Sequence, residues 1–548
     1  MARRIRLQIF IATVTSILVA GLLSWLALAN TTISQPLVGG TYREAIVGTP
    51  KNVFPLLNDS FCCGVEALLF DGLTRLGVEG LPIPALAENW SVDPQGRKYI
   101  FHLRQNAKWH DGQPFTAADV VFTLQAIQKK DFPGDPSLSA LWRNVLVNQV
   151  DAHTVQFTLN VPYAPFLTAT RLPILPAHLL SKIPPSQWVT SEFAQKLIGT
   201  GPFKLRQLTQ ERASLEANLD YFAGRPFIDK VELDFIASPP AALAKLQRQE
   251  VQAVSYDARP ELNQKTLPKN LQRLQIPLDE YTVLTFNLRE APLKEQKLRQ
   301  ALAQSLDKAT LITQALGEQA VPLESPILPG WWAYDANVPS QPYNPPGAME
   351  TLANLGYQTA TGDGKGKQLR LDLLVRKEAQ QLAVAQEIAR QWATIGVKVE
   401  VVPLESTALR QRLRDHKFVL ALQSWTRLGP DPDLFELWHS NQAATGLNYA
   451  GLHDEQVDKL LASSHIMQDL ASRKEDFSAF QQRWMELVPS LTLYQPLYTF
   501  VAADNLGGLS FATPGTASAE LLVGREDRYR TVSHWFVQGS RELRSTLP

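Results

Sequence analysis

Residues 101–124 read FHLRQNAKWHDGQPFTAADVVFTL, and this run decides the fold because a strand, a tight turn and a capped helix follow one another within it. The strand alternates, with Tyr99, Phe101 and Leu103 on one face and Ile100, His102 and Arg104 on the other. Asp111-Gly112 is a strong turn dipeptide, and Pro114 stops a helix from running back. Thr116, followed three residues later by Asp119, is a capping box in its acidic form. Val120, Leu124 and Ile127 then give the helix an apolar stripe. Residue chemistry alone describes a well-specified scaffold element here.

The same run resembles the signature of the family 5 extracytoplasmic solute-binding proteins, which serve ABC importers of oligopeptides, dipeptides and nickel complexes. Ala87-Glu88-Asn89-Trp90 precedes it in the family's order. Gly199-Thr200-Gly201-Pro202-Phe203-Lys204-Leu205 and Tyr221-Phe222-Ala223-Gly224-Arg225-Pro226 follow it. Further on come Arg299-Gln300-Ala301-Leu302 leading to Asp307, then Asp431-Pro432-Asp433 and Asn448-Tyr449. The resemblance covers residues 40–510 or so. It implies an α/β, two-lobed periplasmic-binding-protein-like fold of type II, enlarged by an extra subdomain in the N-terminal lobe. On that pattern lobe 1 is 40–284, with an insertion subdomain at about 60–195. Lobe 2 is 285–490, and 491–548 returns to lobe 1 and ends in a tail. Two chain crossings follow, near Thr282–Leu288 and Leu493–Val501, as a hinge requires.

The residues themselves support an α/β second half. Leu369, Leu371, Leu373 and Val375 alternate as a strand before a helix bearing Leu382, Ala385, Ile388, Trp392 and Ile395. A strand at Val397–Val401, a short helix near Thr407–Asp415 and an apolar strand Phe418–Leu422 come next. That order implies right-handed crossovers and a parallel sheet. The glycines of 362–367 lack the Gly-Lys-Ser/Thr ending of a phosphate loop and precede a strand, so they read as a plain loop.

At 548 residues the chain exceeds one small core, and at about 150 residues per domain three or so units are expected. Lys plus Arg and Asp plus Glu both total 53. Nucleic-acid binders leave a basic footprint, so no nucleic-acid partner is expected.

Arg3, Arg4 and Arg6 precede an apolar run from Leu7 to Ala29 that ends in the small-residue site Ala27-Leu28-Ala29. Residues 1–29 therefore read as a signal peptide or, since about 20 apolar residues span a bilayer, as a retained membrane anchor. Either way the globular part is expected outside the cytoplasm, periplasmic and, if the anchor stays, tethered by 7–29. The first cysteine is Cys62, so no lipoprotein-type cysteine follows the leader. Cys62 and Cys63 are adjacent and cannot staple distant segments. Between neighbours about 3.8 Å apart a disulfide is a strained ring, and two small buried thiols are the plainer alternative.

No Gly-Xaa-Ser-Xaa-Gly elbow, His-Glu-Xaa-Xaa-His helix, Walker loop or dinucleotide fingerprint occurs, and the nine histidines are scattered. No catalytic residue, metal or cofactor is expected. The best site candidate is the loop Ser424–Asp433 after strand Phe418–Leu422, because ligands of open α/β lobes bind beyond the carboxyl ends of strands. Trp425 offers an apolar cover and Arg427 a bidentate partner for a carboxylate. Asp431 and Asp433 read as shapers of the proline-rich turn.

In peptide-binding members of the resembling family an aspartate three residues after the tryptophan holds the peptide's amino group. The matching position here is Leu428. The segment Asn58–Gly64 faces the cleft in that family. Asp59 is a candidate for the missing charge, with helix capping by Asp59 or Ser60 the plainer reading, and Cys62-Cys63, next to the contact candidate Phe61, offer a rigid apolar surface or a soft-metal site. Trp331, Tyr449 and Tyr494, with Trp332, complete an aromatic set for the same cavity.

The expected function is capture of a peptide or similar small polar solute by hinge closure and delivery to an ABC permease in the membrane, by a monomer that is not an enzyme. Two alternatives stay open on sequence: an extracytoplasmic hydrolase built around His110 or His439, and a membrane-tethered sensor or scaffold that kept the receptor fold.

Overall fold

The computed structural model describes residues 13–21, 32–50, 52–57, 64–77, 80–134, 136–256, 267–268, 270–317, 319–361, 364, 366–426, 429, 431–509 and 521–543. The 101–124 run folds as read. Strand Lys98–Leu103 buries Tyr99, Phe101 and Leu103 and turns Lys98 and His102 outward. Helix Ala117–Ile127 starts where Asp119 accepts the Thr116 amide at 2.9 Å. Asp119 also accepts the Ala177 amide at 2.9 Å, so one buried carboxylate fastens both the helix start and a loop distant in sequence.

The turn before that helix is locked onto the Gly199–Leu205 segment. His110 Nδ1 accepts the Gly199 amide at 3.1 Å, its Nε2 meets the Gly201 carbonyl at 3.1 Å, and its main-chain N–H donates to the Gly199 carbonyl at 2.8 Å. Gly199 must be glycine: a Cβ there would lie 1.8 Å from the Leu69 carbonyl oxygen of helix Val65–Leu69. Nδ1 as acceptor makes His110 the neutral Nε2–H tautomer, and burial pushes its pKa down to about 4. His110→Ala leaves the Gly199 N–H without its acceptor and is expected to cost about 1–3 kcal/mol in urea unfolding. A loss below about 0.5 kcal/mol would show that water replaces the ring. The unfolded imidazole protonates near 6.5 and the folded one near 4. This group therefore drains stability as pH falls from about 6.5 to about 4, a slope absent from the variant.

The insertion subdomain carries an antiparallel sheet in the order Ala87–Val92, Lys98–Leu103, Thr154–Leu159, Val145–Asp151. Among the described residues a twelve-stranded sheet runs through the rest of the molecule. On one side strand Thr41–Val47 pairs in parallel with Lys230–Ile236 and Ala253–Tyr256. On the other, Arg370–Arg376 lies parallel to Lys398–Leu404 and Leu420–Thr426, with helices Ala379–Ala393 and Ser406–Arg414 as the crossovers. This is the strand–helix order seen in the sequence.

Strand Ser490–Ala503 joins the two sides. Its first residues pair with Thr282–Thr285, and its later ones with Leu271–Pro277 and Ala253–Tyr256. The partners change at Pro277–Glu280 on one chain segment and at Tyr494–Leu497 on the other. Burial follows the same division. One core gathers residues between Tyr42 and Ile276 with Tyr498–Trp535, and another gathers Leu284–Val397, Leu420, Leu422 and Val488–Tyr494. Within residues 1–31 helix is described only at 13–21, and among the described residues no helix is long and apolar enough to cross a membrane.

Candidate functional site

Strand Leu420–Thr426 runs past the Leu422 end that the sequence indicates. Each residue from Leu420 to Thr426 has a partner on Glu280–Phe286, with Trp425 opposite Tyr281, so a neighbouring strand extends what local chemistry reads as loop. Trp425 consequently sits at the carboxyl end of a strand. It packs against three apolar groups, represented by Trp438, Trp331 and Leu409. Its indole stacks on Tyr449 with centroids 6.0 Å apart and planes 12° from parallel.

Beside this stack opens a recess of about 220 Å³, lined among others by Arg376, Gln381, Ser406, Arg410, Ser424, Trp425 and Tyr449. Among the described residues two guanidinium groups line it and no carboxylate does, though Arg376 also meets Glu378 at 3.0 Å; the lining suits an anionic or carbonyl-rich ligand group. Burial raises the pKa of the Tyr449 hydroxyl, while the nearby Arg414 and Arg410 guanidinium groups act to lower it. A second recess of about 220 Å³ borders helix Lys308–Leu316. There Lys308 is already met by Glu324 at 2.7 Å and the Leu323 carbonyl at 2.7 Å.

The other predicted residues fall into two sets. Trp331 and Tyr494 are buried, at 4 % and 3 % exposure. Trp331 donates its indole N–H to Asp279 at 3.2 Å, and Tyr494 bonds Thr282 across the strand pair. Trp332 is buried as well, under the Arg473 guanidinium. Asp59, Phe61, Cys62, Cys63 and Arg427 lie outside the described residues.

Asp431 and Asp433 do more than shape a turn. Asp431 grips Arg473 through both oxygens, at 2.8 and 2.5 Å, and Asp433 meets His465 Nδ1 at 3.0 Å. They anchor the loop to helices Glu455–Ile466 and Leu470–Leu487. Burial alone would lower the pKa of His465, yet the bond and charge of Asp433, with Glu436, raise it above the usual histidine value. His465 also touches the insertion subdomain: its carbonyl accepts the Ala164 amide at 2.9 Å, and its ring lies 5.3 Å from that of Tyr163.

Sequence reasoning missed Arg376, Arg410 and Asp279. The arginines look like ordinary solvated charges, and Asp279 in Pro277-Leu278-Asp279-Glu280 looks like a plain turn residue. Of the two histidines singled out for the hydrolase alternative, His110 is engaged at both ring nitrogens by the Gly199–Gly201 backbone, and His439 Nδ1 accepts the Asn441 amide at 3.1 Å.

Residues 82–445 match the family model for the bacterial extracellular solute-binding proteins, family 5 middle region. The chain belongs to that family. It is 29 % identical over 507 residues to the oligopeptide-binding protein AppA of Bacillus subtilis, covering 88 % of this chain and 91 % of AppA. The AppA structure with a nonapeptide aligns at a TM-score of 0.67 and 26 % identity, covering 92 % of this chain and 100 % of that one. The dipeptide-binding protein of Escherichia coli is 28 % identical over 451 residues, covering 76 % of this chain and 82 % of its own length. HbpA2 of Haemophilus parasuis shares the fold at a TM-score of 0.78 and 24 % identity, covering 87 % of this chain and 98 % of that one. The family 5 solute-binding protein described here is thus a two-lobed α/β receptor.

Proposed function

We propose that this family 5 protein captures peptides outside the cytoplasm and hands them to an ABC permease. The observation that carries the reading is the arginine-lined recess against the Trp425–Tyr449 stack, at the carboxyl end of a strand and beside a loop anchored by buried ion pairs. A peptide brings a carboxylate for Arg376 or Arg410 and a flat backbone for the indole. The kinship with oligopeptide- and dipeptide-binding relatives supports the same class of solute.

The lobes are proposed as 40–284 with 491–548, and 285–490, with the changes of strand pairing near Asp279 and Pro496 as the joints. Ligand held by both lobes favours the closed population through its differential affinity. Trp331, Trp425, Tyr449 and Tyr494 are proposed as the aromatic frame. Asp59, Phe61, Cys62, Cys63 and Arg427 stay in the proposed contact set on family resemblance. The protein is proposed to act as a monomer, tethered to the membrane if residues 7–29 are retained.

Titration with hexaalanine, followed by tryptophan fluorescence, tests the reading. Wild type is expected to saturate. Trp425→Ala is expected to bind about 10–30-fold more weakly, which corresponds to about 1.4–2 kcal/mol. No saturable change with alanine peptides of two to nine residues would overturn the peptide assignment.

A further inference from the structure

The first joint between the lobes carries a buried carboxylate that the arginine recess does not use. Asp279 is 1 % exposed and lies between strands Leu271–Pro277 and Glu280–Phe286, where the chain changes sides. Its main-chain amide donates to the Leu522 carbonyl at 2.8 Å, tying it to the C-terminal segment. Its side chain reaches the other way. Oδ2 accepts the Gly429 amide of the cleft loop at 2.7 Å, and Oδ1 accepts the Trp331 indole N–H at 3.2 Å. Gly429 has φ 85°, a left-handed conformation that glycine adopts without strain.

We propose that Asp279 is a positioning residue that ties the Pro277–Glu280 joint to Gly429 and Trp331, so that closing the lobes and setting these two groups are one motion. Two N–H groups from separate segments converge on one carboxylate where the strand pairing changes partners. Hydrogen bonds to an ionised acceptor are about twice as strong as neutral ones. A rotation about Pro277–Glu280 therefore carries Gly429 and Trp331 with it.

Charged and titratable groups near Asp279 are Arg171 of the insertion subdomain, Asp527 of the C-terminal segment and the Tyr281 hydroxyl on its own strand. Arg171 and Asp527 already meet each other at 3.3 Å. Among the described residues no cation lies within ion-pair distance of Asp279 itself. Burial raises its pKa to about 7, against the lowering by Gly429 and Trp331. Ionised, it accepts both N–H groups; protonated, one oxygen becomes a donor and one bond is weakened. The tether accordingly tightens as pH rises through about 7. The raised pKa also means that this group's contribution to stability falls as pH climbs from about 4 to about 7. Asp279→Asn keeps one acceptor oxygen and leaves one of the two N–H groups without a partner, so its fold is checked by urea unfolding at pH 8.

The consequence for binding rests on the peptide reading above; the tether itself does not. Full-length protein labelled with ¹⁵N-indole tryptophan, with the Trp331 resonance assigned through Trp331→Phe, gives the readout. In ligand-free wild type that resonance should move with a midpoint near pH 7, and in Asp279→Asn it should stay still. Hexaalanine affinity should fall about 10-fold in Asp279→Asn at pH 8 and lose its pH dependence. A wild-type Trp331 resonance indifferent to pH between 5 and 9, or one that titrates equally in Asp279→Asn, overturns the proposal. Failure of hexaalanine to bind wild type counts against the peptide reading and leaves the resonance test to decide the tether.

Discussion

Replacing Glu44 by alanine is expected to cost more than any other single change, at least about 3–5 kcal/mol of unfolding free energy. Glu44 Oε1 accepts Arg528 Nε at 3.1 Å and the Ser255 hydroxyl at 2.9 Å, while Oε2 accepts the Tyr42 hydroxyl at 2.8 Å and the Tyr529 hydroxyl at 2.5 Å. The side chains of Glu44 and Arg528 are 0 % and 1 % exposed. Burial works against the charged guanidinium, but Glu44 together with Tyr498, Tyr529 and Tyr42 outweighs it, and the pKa of Arg528 is raised well above its ordinary value.

Removing Glu44 takes from Arg528 a buried carboxylate that it meets at 3.1 Å, and each hydroxyl left without its acceptor adds roughly 1 kcal/mol. Arg528 and Tyr529 both hold the C-terminal segment to strand Thr41–Val47 through Glu44, so limited proteolysis should cut the 521–543 region of the variant first. The double variant Glu44→Leu with Arg528→Met should recover only part of the loss: the charge pair is gone, but the Tyr42, Ser255 and Tyr529 hydroxyls still lack the acceptor that Glu44 gave them. A Glu44→Ala protein within about 1 kcal/mol of wild type in urea would mean that water reaches Arg528.

Asp431→Ala is the second large effect and touches function directly. Arg473 is 4 % exposed on its side chain and donates to both Asp431 oxygens and to the Ser464 carbonyl at 2.9 Å. Its guanidinium lies 5.0 Å from the Trp332 ring centroid and 5.7 Å from that of Phe477. Removing the carboxylate strands a cation between two aromatic rings, at an expected cost of about 3–5 kcal/mol, and releases the end of the cleft loop.

Hexaalanine affinity should drop in the same variant under conditions where it remains folded. Arg473→Met should be milder, because a buried carboxyl without its partner takes up a proton and becomes neutral. Equal stability of Asp431→Ala and wild type would remove Asp431 as the anchor of the loop.

Local readings succeeded where neighbours in sequence set the outcome. The Tyr99–Leu103 alternation, the Asp111-Gly112 turn and the Thr116–Asp119 cap each involve residues a few positions apart, and each is present. The Asp431 reading fell short because its partner is 42 positions away, and that of Asp433 is 32 away, where no local pattern reports them. Trp331 and Tyr494 were legible as aromatic, but their depth was not. Trp425 was legible as a site candidate, whereas its strand conformation came from pairing with Tyr281.

From the sequence alone come the α/β class, the order of elements and the family, because side-chain period, turn chemistry and motif spacing are short-range or ordered properties of the chain. Tertiary structure alone decided which charges meet. Glu44 with Arg528, Asp431 with Arg473, and Asp279 with Gly429 join segments 484, 42 and 150 positions apart. Such pairs depend on how strands and lobes are stacked, and an ionisable residue looks the same in a string whether it ends in water or in a core.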